Sequence, residues 1–135
     1  MGFWIFLTIC NLMIPVLMIV MGKVFMKNPP QTINGIYGYR TSRSMKNQDT
    51  WIYAHLYCGK LWWKTGWIML PLAVIGMFPG IKAAEDVVGM LCGVIEIIEC
   101  IALFMTIFFV EKALAKKFDK NGNALDDIRA GRKGE

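Results

Sequence analysis

Histidine and paired cysteine, the usual raw material of metal centres and disulfide frameworks, are nearly missing from this sequence. His55 is the only histidine, and Cys10, Cys58, Cys92 and Cys100 show no Cys-x-x-Cys spacing. Three of the four cysteines fall in apolar runs, so they read as small packing residues and not as a disulfide framework. No glycine-rich nucleotide loop, serine elbow or paired-histidine motif is present. Asp119, Asn121 and Asn123 have the spacing of a calcium loop, but Ala124 and Ala130 stand where such a loop needs Gly and Glu. No metal and no cofactor are therefore expected. Gly2 does not open a myristoylation signal, because Phe6 occupies the position where Ser or Thr is wanted.

Charge is scarce as well. Only 19% of the 135 residues are charged and 56% are hydrophobic, with a mean hydropathy of +0.44, which excludes an ordinary soluble domain and directs attention to runs of about 20 residues. Three such runs exist. Phe3 to Gly22 carries no charge, Trp62 to Ile81 is broken only by Lys64, and Val87 to Val110 carries only Glu96 and Glu99. The first is expected to remain as a span, since it lacks a basic leader and a small-residue cleavage site and exceeds the roughly 7–15 apolar residues of a signal peptide. The expected fold is an all-α integral membrane protein with three transmembrane helices, at about residues 3–22, 62–81 and 87–110. These form a single domain over 1–117, followed by a polar, flexible tail over 118–135.

The net charge of +5 does not point to nucleic acid. All of the Lys and Arg residues except Lys82 lie in or beside the first loop or in the tail, so they follow the membrane boundary, and the tail lacks aromatic interleaving. By the positive-inside rule the first loop and the tail are cytoplasmic, and the N-terminus and the Lys82 turn are outside. Membrane lipids are the expected partners, with a homo-oligomer open and nucleic acid excluded. The expected location is a membrane, crossed several times.

Local signals place the polar residues. Pro15 frees the carbonyl of Asn11 within the first span, so a kink is expected there and Asn11 is a candidate polar residue of the bundle. Asn28-Pro29-Pro30 stops the first helix. A turn-rich loop then runs to Asn47, a candidate N-cap followed by Asp49 and Thr50 in the first turn. The helix starting there should lie at the interface and continue unbroken into the second span. Trp51, His55, Cys58 and Trp62 fall on one stripe of it, and Tyr53, Tyr57, Lys60 and Lys64 on the opposite, interfacial one. In the third span Glu96 and Glu99 are one turn apart and share a face with Gly89, Cys92, Cys100 and Leu103. An intramembrane carboxylate is costly, so this face should turn inward, either as a polar binding or proton site or as a structural partner of Asn11, Thr8 or a basic loop residue.

The densest polar chemistry runs from Gly35 to Lys64: Tyr37-Gly38-Tyr39-Arg40-Thr41-Ser42-Arg43-Ser44-Met45-Lys46-Asn47, then Asp49-Thr50-Trp51, His55 and Gly59-Lys60. This order resembles the signature of the SdpI family of bacterial membrane proteins, a Gly-x-Arg-Thr turn followed by Lys/Ser-Asn, an acidic residue before Trp, a His and Gly-Lys. The matched positions are Gly38, Arg40, Thr41, Lys46, Asn47, Trp51, His55, Gly59 and Lys60. The resemblance implies an immunity protein of the bacterial cytoplasmic membrane that confers toxin resistance by guarding that membrane against a secreted peptide toxin, which would then be a further partner. The longer family members have about twice as many spans, which this chain lacks. Two rival readings stay open: an oligomeric transporter of protons or small solutes built on Glu96 and Glu99, and an intramembrane enzyme using His55 with either glutamate.

Overall fold

The computed structural model describes residues 1–133. It contains α1 (Gly2–Lys27), α2 (Gln48–Met77), α3 (Glu85–Lys117) and α4 (Leu125–Lys133), with a 3-10 turn over Phe78–Lys82 joining α2 to α3. Three of the helices are long and apolar enough to cross a membrane. The protein is therefore a helical membrane protein with three spans; α1 and α3 extend beyond the apolar runs that predicted them, whereas α2 begins well before its run and ends at Met77, leaving Phe78 to Ile81 to the 3-10 turn. The outer faces of α1 and α3 carry exposed Phe6, Ile97 and Phe104, the surface that a lipid-facing bundle requires.

The start of α2 follows from its first residues. Asn47 is the N-cap: its Oδ1 accepts the amide of Thr50 at 2.9 Å, and the Thr50 hydroxyl accepts the amide of Asn47 at 3.1 Å. This is a reciprocal capping box in which Thr replaces the usual Glu or Gln. Asp49 adds negative charge in the first turn, where the helix dipole favours it. From there α2 runs without interruption through the span, with Pro71 accommodated inside it.

The closest packing in the bundle lies between α1 and α2. On α2 the small residues Gly59, Gly66 and Ala73 recur every seventh position and are buried. A Cβ at Gly59 would stand 2.8 Å from the Gly22 carbonyl oxygen, one at Gly22 2.6 Å from the Trp63 nitrogen, and one at Gly66 2.9 Å from the Pro15 carbonyl oxygen. Helices in lipid gain no hydrophobic drive from meeting each other, so backbones brought this close supply van der Waals contact in its place. At one end of the bundle the Trp4 indole donates to the Met77 carbonyl at 2.8 Å. Nearer the other end Trp62 donates to the Thr106 hydroxyl at 3.0 Å, tying α2 to α3.

The buried line of α3 is Val88, Cys92, Glu99, Thr106, Val110 and Leu114. Glu99 lies on it and Glu96 at its half-buried edge, but Cys100, expected on the same inward face, is exposed. One residue rotates a helical side chain by about 100°, so a line through positions 92, 99 and 106 turns Cys100 outward. Beyond α3 the chain is ordered by Asp119, whose carboxylate accepts the amides of Asn121 and Asn123, both at 2.8 Å. Those bonds hold its pKa below the usual carboxylate range. Phe118 and Ala124 form an isolated antiparallel bridge across this turn, and α4 follows.

Candidate functional site

The motif residues build a cap over the loop end of the bundle, and His55 is its centre. Its Nε2 accepts the Tyr39 amide at 2.8 Å, and its Nδ1–H donates to the Trp51 carbonyl at 2.7 Å. An amide can only donate, so Nε2 must be the unprotonated nitrogen and the ring is neutral. Burial in the turns of α2 that precede the apolar span pushes its pKa below the ordinary imidazole value. The ring packs edge-on against Phe25 at 5.0 Å and beside Trp51 at 4.3 Å. Trp51 in turn donates its indole N–H to the Pro30 carbonyl at 2.7 Å.

Gly38 is what lets the loop approach this ring. Its φ of 114° is in the left-handed region, and a Cβ there would collide with His55 Nε2 and lie 3.3 Å from the Trp51 ring. The next residues lock the turn. The Ser44 hydroxyl accepts the Thr41 amide at 2.9 Å and lies 2.9 Å from the Tyr39 carbonyl, to which it donates. The Tyr39 hydroxyl donates to Glu111 at 2.9 Å, and the other Glu111 oxygen lies 3.7 Å from Arg43 Nε. Burial, followed by the contact with Glu111, raises the Tyr39 pKa. The loop is thus joined to α2 through His55 and to α3 through Tyr39, Arg43 and Glu111, contacts that spacing alone did not bring together.

The structure divides the motif into two groups. Gly38, Thr41, Asn47, Trp51, His55 and Gly59 are used in the architecture, and Asn47 also donates through Nδ2 to the Gly122 carbonyl at 2.7 Å. Arg40, Lys46 and Lys60 are exposed. Arg40 donates to the Gly35 carbonyl of its own loop and stands at a cleft of about 260 Å³. Gly38, Tyr39 and Thr41 form one side of that cleft, and Phe25, Trp62 and Ile107 the apolar remainder. His55 lies behind this wall and Asn47 on the side facing the tail, so Arg40, Asn47 and His55 do not share one opening.

Deeper in the bundle, Asn11 is fully buried and Glu99 is 3% exposed, yet neither polar end of Asn11 and neither oxygen of Glu99 has a hydrogen-bond partner among the described residues. Thr8 does not partner them, and its hydroxyl donates to the Trp4 carbonyl of its own helix at 2.7 Å. The structural pairing of Glu99 with Asn11, one of the alternatives read from the sequence, is not formed. Buried groups of this kind normally find partners, and leaving one without costs roughly 1–3 kcal/mol, more if it is charged.

A three-span bundle whose loop end is closed by a glycine turn, a neutral buried histidine and a capped second helix defines a small integral membrane protein organised around that loop. Its family is shown by comparison with known proteins: residues 31–110 match the model of the SdpI/YfhL protein family, and the chain belongs to that family. It is 37% identical over 59 residues, 44% of its own length, to "Uncharacterized protein YfhL" of Bacillus subtilis (strain 168). The match spans about half of that relative, 54% of its length. No solved structure matches the chain.

Proposed function

We propose that the protein guards the membrane carrying it against a secreted, membrane-active peptide, the role that the resemblance to SdpI-type immunity proteins implies. The observation that carries this reading is the cleft beside the motif turn. Its walls of Phe25, Trp62 and Ile107 suit apolar peptide side chains, and Arg40 offers one guanidinium that can hold a carboxylate through two parallel hydrogen bonds. The unpartnered Glu99 and Asn11 deeper in the bundle offer hydrogen bonds to a polar group that enters from outside the chain. In this reading the loop and the tail face the cytoplasm of a bacterial cell, as the distribution of Lys and Arg favours, so the cleft meets a peptide that has inserted through the bilayer from outside.

Glu99 and Asn11 also support a second reading, passage of protons or small solutes through several copies of the bundle. The enzyme reading has less to stand on, since both nitrogens of His55 are engaged in a buried bond network. The test is survival of a peptide-sensitive bacterial strain that expresses the chain and is challenged with the toxin-containing supernatant of a producer strain. Expression should protect, and Arg40→Ala should remove the protection. Arg40→Lys should do nearly the same damage, because an ammonium cannot reproduce the planar fork. Absence of protection by the unaltered chain at confirmed membrane expression sinks the reading.

A further inference from the structure

On the side of the bundle formed by α2 and α3, a second cleft of about 520 Å³ lies between Tyr53 and Tyr57 of α2 and Phe109, Lys112, Lys116 and Lys117 of α3. Its volume is within the roughly 300–1,000 Å³ of small-molecule sites. We propose that this cleft is a binding site for the headgroup of an anionic phospholipid. It does not depend on the toxin reading and uses none of the residues assigned to the motif.

Position is the first argument. The apolar part of α2 begins at Trp62, and at about 1.5 Å per residue Tyr57 lies some 7 Å outside it. Lys112 and Lys116 follow Val110, the end of the apolar run of α3, by about 3 and 9 Å on the same rise. The cleft therefore opens in the headgroup layer, which adds about 5–8 Å to each side of a hydrocarbon core of about 30 Å, and Lys116 reaches just past it. Phe109 lies at its membrane side, where an acyl chain would begin.

Chemistry is the second. Three ammonium groups line the cleft and, among the described residues, only one carboxylate, Asp126 of α4, stands against them. The tyrosine rings lie nearly parallel at 6.0 Å, and Lys117 Nζ sits 4.7 Å above the Tyr53 ring. That contact holds one cation over the aromatic floor. Glu111, the nearest acid on α3 by sequence, is turned away to Tyr39 and Arg43. What remains is a wet cationic opening with phenol hydroxyls and an apolar lower edge, suited to a phosphodiester whose tails stay in the bilayer.

The experiment titrates the purified, detergent-solubilised full chain with phosphatidylglycerol or phosphatidylcholine and reads lipid-bound species by native mass spectrometry. Phosphatidylglycerol should bind more tightly than phosphatidylcholine. Lys112→Gln with Lys116→Gln should weaken it about 30-fold, at about fivefold per ammonium. Lys23→Gln with Lys27→Gln, which removes equal charge from exposed positions of α1 that do not line the cleft, should change affinity less than about threefold. Glycerol phosphate in millimolar excess should leave the lipid bound. Equal binding of the two lipids, or equal losses in the two double variants, overturns the site. Displacement by glycerol phosphate overturns its assignment to lipid in favour of a soluble phosphate ester.

Discussion

The amide of Tyr39 donates to Nε2 of His55 across 2.8 Å, and this bond sets the protonation state of the one histidine in the chain. Protonation would place a donor against a donor and leave a buried charge. Because the folded pKa lies below the unfolded value near 6.5, the unfolded chain binds more protons on acidification, so this contribution is complete above that pH and declines as pH falls through and below it. Thermal unfolding in detergent should show stability falling from about pH 6.5 downwards. In His55→Gln the acid-dependent part should shrink, alongside a general loss of about 1–3 kcal/mol from the disturbed network. An unchanged pH profile in that variant would remove His55 from its central place in the cap.

Gly38 should be the least replaceable glycine of the loop. Gly38→Ala must adopt a left-handed backbone and push against His55, whereas Gly35→Ala enters open space. The expected losses are about 2 kcal/mol or more for the first and less than about 0.5 kcal/mol for the second. Thermal or denaturant unfolding of both variants checks the contrast, and similar losses would mean that the turn is not pinned against the ring.

How far the sequence alone could reach is visible in these residues. The three spans were legible because an apolar run of about 20 residues, coiled as a helix, matches the thickness of a bilayer's hydrocarbon core. Asn47 was legible because an Asn followed by Asp and Thr reads as a helix start. The seam of Gly59, Gly66 and Ala73 was readable in principle, since its period is seven, but small residues barely register in a pattern of polar against apolar side chains. The link from Tyr39 through Glu111 to Arg43 was not readable, because it joins positions 72 apart through the packing of α3 on the loop. Cys100 departs from the face expected for it because it follows Glu99 directly, and neighbours on a helix point about 100° apart.

The orientation proposed from charge predicts a labelling pattern. In a background with the four native cysteines replaced, Ala83→Cys should react with an impermeant thiol reagent in intact cells, and Ser42→Cys should react only after permeabilisation. Ser42 is exposed on the motif loop and Ala83 lies in the turn before α3, so both are placed to report their side. The reverse pattern would put the basic loop outside and overturn the charge argument.

Glu99 gives the sharpest separation between fold and function. Had it bonded to Asn11, Glu99→Leu would strand that partner and destabilise the bundle, but neither oxygen of Glu99 has a partner among the described residues. Replacing it with Leu removes an unsatisfied polar group from a buried position and should stabilise the protein by about 1–3 kcal/mol in detergent. Glu99→Gln should move stability less, since it removes the capacity for charge but keeps a buried polar group. If the carboxylate is kept for a partner outside the chain, protection should be lost in Glu99→Leu although the protein is more stable, a trade expected where function needs a locally unfavourable group. Glu96→Gln, at a half-buried position, should leave stability within about 0.5 kcal/mol. Unfolding temperature and survival under toxin challenge, measured on the same three variants, decide the matter. Glu99→Leu with raised stability and full protection would show the buried acid to be dispensable and leave the cleft at Arg40 as the candidate site.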